Sequence, residues 1–188
     1  MKKLLIPALA LLTVATAVQA ETYAVDFSAW SPTLQMHTPA DDVGVFRLAI
    51  YGANNDVTGL DLGIVNISAG EFNGLQYAWA YGQTDKDFNG VQLGIMSHIR
   101  GDMCGADVGI INFVEGKTCG LMGGFFVNWA DGEMNGLELA FINCAANLNG
   151  VQFGLVNWAK AGYGLQIGLI NIFGDGFLPV FPFINFNF

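Results

Sequence analysis

Charge is scarce in this chain of 188 residues. Only 12% of them are Asp, Glu, Lys or Arg, and seven basic residues face 16 acidic ones, for a net charge of −9. A surface of that sign repels phosphate backbones and anionic headgroups, so nucleic acid is not an expected partner. Histidine occurs twice, as His37 and His98. His98 has Asp102 nearby, but one His and one Asp do not make a metal site. No GxSxG elbow, HExxH helix or Walker loop is written anywhere, and the Gly-Gly-x-Gly-x-Asp pattern of calcium-binding β-repeats is missing too. The chain is therefore expected to hold no catalytic, cofactor or metal site and to be no enzyme. Beyond residue 20, no apolar run reaches the ~18 residues of a transmembrane helix.

The first 20 residues are the exception to that last absence. Lys2 and Lys3 precede the run LLIPALALLTVATAVQA, and Val18-Gln19-Ala20 offers small residues where a signal peptidase cuts. A signal peptide over 1–20 is expected, with export through an oxidising compartment. Its removal leaves five basic residues against 16 acidic ones.

What the chain has in abundance is one phrase. It reads GLDLGIVN, GLQYAWAY, GVQLGIMS, GADVGIIN, GLMGGFFVN, GLELAFIN, GVQFGLVN and GLQIGLIN, opening at Gly59, Gly74, Gly90, Gly105, Gly120, Gly136, Gly150 and Gly164. A worn copy, VFRLAIYG, opens at Val45. Repetition at a fixed period of 14–16 residues marks a stacked repeat architecture. With the opening residue as position 1, positions 2, 4 and 6 are large and apolar, and alternation along a strand puts them on one face. Position 3 is Asp61, Gln76, Gln92, Asp107, Met122, Glu138, Gln152 or Gln166. It is expected to face outward. Position 5 is always Gly or Ala in these eight copies, which implies close backbone approach. Turn-rich linkers hold most of the charges.

All-β structure follows, and two architectures accommodate it. In a β-solenoid of about nine coils with terminal caps, equivalent positions stack ~4.8 Å apart, which explains why each position keeps its character. Residues 21–42 would form an N-terminal cap or lead-in, 43–171 the repeat domain and 172–188 a Phe- and Pro-rich C-terminal cap. Asn66, Asn112, Asn143, Asn157 and Asn171, all at position 8, would form a hydrogen-bonded Asn ladder, with Asn128 one place later in its copy. The second architecture is an outer-membrane β-barrel of about ten strands, favoured by the signal peptide, the apolar face and the ending FPFINFNF. Against it, three apolar residues per repeat are too few for a spanning strand of ~9–11 residues. Pro179 and Pro182 would also remove ladder donors from its closing strand.

Cys104 and Cys119 each precede an opening Gly and stand one repeat apart. In adjacent coils they would lie within disulfide reach, making them a structural disulfide candidate. Cys144 is left over as a small apolar residue. Trp79, Trp129 and Trp158 read as core or turn aromatics rather than a binding stripe.

The phrase GLxLGIVN, the stretch YGANNDVTGLDLG at 51–63 and the ending LPVFPFINFNF together resemble a family of bacterial surface-repeat proteins first noted in spirochaetes. The resemblance covers roughly residues 43–188. It implies export to the cell surface, outer membrane or periplasm, and it brings no activity, substrate or catalytic residue. The expected function is that of a non-enzymatic, surface-associated structural or interaction module, with a membrane-barrel pore or anchor as the alternative.

Overall fold

A computed structural model describes residues 20–188, so the expected signal peptide falls, but for Ala20, outside the described residues. Eleven strands follow in order: β1 (Thr22–Trp30), β2 (Leu34–Gln35), β3 (Asp42–Asn54), β4 (Val57–Ser68), β5 (Phe72–Thr84), β6 (Phe88–Ile99), β7 (Met103–Val114), β8 (Thr118–Leu139), β9 (Ile142–Phe153), β10 (Val156–Phe173) and β11 (Val180–Asn187). From β3 to β10 each strand pairs in parallel with the next, and equivalent repeat positions are register partners, as in Gly59↔Gly74 and Gly136↔Gly150. The result is a β-solenoid of about eight turns. Nine coils were expected from counting phrases, but nine phrases enclose only eight intervals from one to the next.

The barrel alternative falls on topology. The sheet order runs linearly from β11 to β2 without closing, and its repeat strands are parallel, whereas an up-and-down barrel needs antiparallel neighbours.

From β3 to β7 each coil is a single strand folded back on itself, whereas β8, β9 and β10 run on through the turn and break at the bends, at Ala140–Phe141 and Gly154–Leu155. The register slips at the bend, for instance between Gly63 and Val65, and position 6 forms the tip. Two arms then face each other across a thin interior. Arg47 Nη1 reaches Asn54 Oδ1, seven residues on, at 3.2 Å, and Gln152 Nε2 reaches the Trp158 carbonyl, six residues on, at 3.1 Å. No straight strand allows either contact.

The interior reverses the expected orientation of position 3. Gln152 is wholly buried, as are Asp61, Gln76, Asp107, Glu138 and Gln166. The cause is parity: positions 3 and 5 share a face, and position 5 lies inside. A Cβ built on Gly154 would stand 2.2 Å from the Ala140 carbonyl oxygen of the preceding coil and 2.7 Å from Asn143 Nδ2. Position 1 is constrained in a different way. Gly74 has φ 147°, in the region only glycine enters freely, and an added Cβ would sit 2.0 Å from the Gly59 carbonyl oxygen.

Most of the apolar interior lies in the half nearest the turns, with Met122 at position 3 an exception. There Val57, Phe72, Phe88 and Met103 stack from coil to coil, and beyond Thr118 the column continues with Met134 and Leu148; the facing column runs from Ser68 and Thr84 to Ile99, Val114, Ala130, Ala145, Ala159 and Phe173. Phe72 and Phe88 lie parallel, with ring centroids 4.9 Å apart. Burying a side chain of this size stabilises by ~1.5–3 kcal/mol. At one end β1 continues the parallel ladder against β3, and β2 pairs antiparallel with β1. At the other, β11 runs antiparallel along β10, and Pro182 deprives its outer edge of one donor.

Candidate functional site

The polar half of the interior is organised into ladders. Asn112, Asn128, Asn143, Asn157 and Asn171 are linked in sequence, each amide nitrogen donating to the next amide oxygen at 2.8–3.0 Å. Asn66, expected in the same ladder, stands apart. Gly82 and Ser97 occupy the two intervening coils, and its amide reaches only the Tyr77 carbonyl, at 3.5 Å. The ladder amides also bind main chain at the bend. Asn128, Asn143, Asn157 and Asn171 donate to the carbonyls of Leu139, Phe153, Ile167 and Phe181, and those of Phe153 and Ile167 also accept the N–H groups of Ala140 and Gly154.

Position 3 carries the second ladder. Gln166 Nε2 donates to Gln152 Oε1 at 2.8 Å, and Gln152 Nε2 donates to Glu138 Oε2 at 2.6 Å. At the other end the Arg47 guanidinium, fully buried, holds Asp61 through two bonds of 2.8 and 2.7 Å, and Gln76 adds a third at 2.8 Å. Asp107 and Glu138 have no such cation. Burial pushes the Asp107 carboxyl up to about 7, partly offset by a hydrogen bond from the Ser97 hydroxyl. It pushes Glu138 up to about 8, partly offset by the bond from Gln152. All of these groups are buried.

Cys104 and Cys119 are register partners on β7 and β8, and both are exposed. The structure brings them together as expected, with both present as thiols. Hydrogen bonding to Cys119 raises the pKa of the Cys104 thiol above its ordinary value. Cys144 is half-buried and stands between Trp129 and Trp158 in the ladder, so the two indoles are not adjacent, and Trp79 lies on the bend. His98 bonds Glu115 at 2.7 Å, while His37 stacks on Tyr23. Among the described residues no group of three or more His, Cys, Asp and Glu side chains could hold a metal ion. Turn carboxylates serve the backbone: Asp56, Asp87 and Asp102 each accept an N–H from the following coil.

The feature that sequence reasoning missed is on the outside. With positions 3, 5, 8 and 10 turned inward, the apolar positions 2, 4, 6 and 7 face solvent. The tip at position 6 forms an unbroken apolar ridge from Ile50 to Leu169, with Trp79 55% and Leu155 53% exposed. In all nine phrases, positions 2, 4, 6 and 7 include no Asp, Glu, Lys or Arg. The exposed charges of the solenoid, such as Lys86, Asp102, Glu115 and Lys160, sit on the opposite edge, in the turns. A groove of about 460 Å³ follows the ridge over the small residues Gly124, Ala140, Gly154 and Gly168, walled by Phe153 and Leu155 among others. The usable signal was parity, since the close-approach position 5 and the polar position 3 had to share a face.

Comparison with models of known protein families, with curated proteins and with solved structures returns no match.

Proposed function

We propose that this chain is an exported, non-enzymatic repeat protein that serves at a bacterial surface as a structural or interaction module. The observation that carries the reading is the segregation of its side chains. The buried carboxylates and amides are engaged in internal hydrogen bonds, while the outer surface offers one long uncharged apolar edge and one charged edge. A protein built this way presents a surface rather than a site. The signal-like residues 1–20 and the resemblance of the repeats and tail to surface-repeat proteins support export.

Fractionation of the producing cells tests the proposal. The chain, cleaved after Ala20, is expected in the outer membrane, periplasm or medium. Uncleaved protein confined to the cytoplasm would overturn it.

A further inference from the structure

We propose that the apolar bend edge of the solenoid inserts into the hydrocarbon of one leaflet of a lipid bilayer, with the charged turn edge left in water. This deepens the interaction role above and rests on it only in taking the edge as the working surface.

Four observations select lipid as the occupant. The first is inverted polarity. Hydrogen-bonded amides inside and aliphatic or aromatic side chains outside are the arrangement of lipid-facing β-structure, and the reverse of a soluble core. A row of nine half-exposed residues presents roughly 800 Å² of apolar surface, above the ~300–600 Å² of an ordinary monomer's largest patch.

The second is the state of the main chain at the bend. Backbone groups entering hydrocarbon must already be paired. The N–H groups of the tip residues Leu155 and Phe141 donate to the tip carbonyls of the preceding coils, Phe141 and Phe125, and the N–H of Ile170, next to the tip residue Leu169, donates to the Leu155 carbonyl. The ladder amides take carbonyls at the base of the bend, such as those of Phe153 and Ile167.

Dimension is the third. From position 6 back to position 2 is four residues, ~13 Å at ~3.3 Å each. That approaches half of the ~30 Å hydrocarbon core and is too little to span it. At the upper margin of this band stand Trp129 and Trp158, where an indole with one wet end is favourable, and the Trp129 indole N–H points to Asp131 at 3.2 Å.

The last is shape. The edge is a convex wedge, apolar on both flanks: Tyr77 and Phe153 on one arm, Ile142 and Ile170 on the other. A second copy offers another convex wedge, and two such edges meeting tip to tip leave all four flanks in water. Fluid acyl chains close around both flanks and can fill the groove over Gly154. The chain's negative charge disfavours anionic headgroups, so the bilayer is a neutral one.

The test is flotation of the exported protein with phosphatidylcholine vesicles. Wild type is expected to float. An Ile64→Asp, Leu155→Asp, Leu169→Asp variant, with all three changes on exposed tip residues, should lose at least tenfold in partitioning while keeping its β-sheet circular dichroism. A Lys86→Ser, Glu115→Ser variant at the turn edge should float like wild type. If the tip variant does not fold, acyl-brominated lipids supply the second readout: they should quench wild-type fluorescence, and much of that quenching should vanish in Trp79→Phe. Folded wild type that stays with the soluble fraction would overturn the proposal, as would flotation unaffected by the tip charges. So would a soluble dimer lost in the tip variant with no vesicle binding. Surface localisation in cells together with failed flotation would leave the proposed function standing and remove this inference alone.

Discussion

Raising the pH from 5 to 9 should destabilise this protein, through two carboxyls buried without a cation. In the native state Asp107 gives up its proton near pH 7 and Glu138 near pH 8, against ordinary values of 3.8 and 4.5. The unfolded chain therefore releases these protons at lower pH than the folded one. Stability from this source is fully present below about pH 4 and is lost progressively as pH rises through 7 and 8. At ~1.4 kcal/mol for each tenfold change in proton affinity, the Asp107 carboxyl alone is worth about 4 kcal/mol, an upper figure because water entering the coil would solvate the ion. Urea unfolding at pH 5 and pH 9, followed by far-UV circular dichroism, measures the difference. The Asp107→Asn, Glu138→Gln double variant retains shape but cannot ionise, and should flatten the dependence. Wild-type stability that is constant or rises over this range would refute the reasoning, as would an unchanged slope in the double variant.

Asn143→Ala should cost about 2 kcal/mol, since it leaves the buried Asn157 Oδ1 without its donor and takes one of two bonds from the Phe153 carbonyl; Asn66→Ala, which loses a single long bond, should cost under about 1 kcal/mol in the same urea assay. Gly154→Val should destabilise more than Gln152→Val, because it drives a side chain into the Ala140 carbonyl; Gln152→Val should still cost about 2 kcal/mol by orphaning buried Glu138 and taking one of two bonds from the Gln166 amide, and thermal melts rank the pair. Mild oxidation with diamide should join Cys104 to Cys119, whose α-carbons stand about one strand spacing apart, ~4.8 Å, and leave Cys144 a thiol, as a nonreducing peptide map will show.

Much of the fold was legible because a solenoid copies one coil's chemistry at every level. The period announced the stack, the in-register Gly column gave its alignment, and the Asn at position 8 marked the bend. What was misread is which side faces in. Apolar residues at positions 2, 4 and 6 suggest a core on the general rule that hydrophobic side chains are buried, a rule that runs one way only. The structure decides otherwise. At the bend the interior is lined by Gly or Ala at position 5 and mostly Asn at position 8, and beside them position 3 carries Asp or long unbranched side chains, Gln, Glu, Arg47 and Met122, several of them paired along the axis. Toward the turns, Phe72 and Phe88 stack inside. Position 5 already contained this information, since Gly154 and Gln152 differ by two residues and must point the same way. The break in the Asn ladder at Gly82 and Ser97 was equally visible, yet its consequence for Asn66 required the hydrogen-bond geometry.

The central claim is an inside-out coil, with amides sealed within and aliphatic residues at the edge, and cysteine accessibility tests it most directly. In a background with Cys104, Cys119 and Cys144 replaced by Ser, single Leu155→Cys and Gln152→Cys variants sample the tip and the interior of one coil. Under native conditions in water, a small maleimide should label Leu155→Cys within minutes and leave Gln152→Cys unreacted until denaturant unfolds the chain. Rapid labelling of Gln152→Cys with protection of Leu155→Cys would contradict the account.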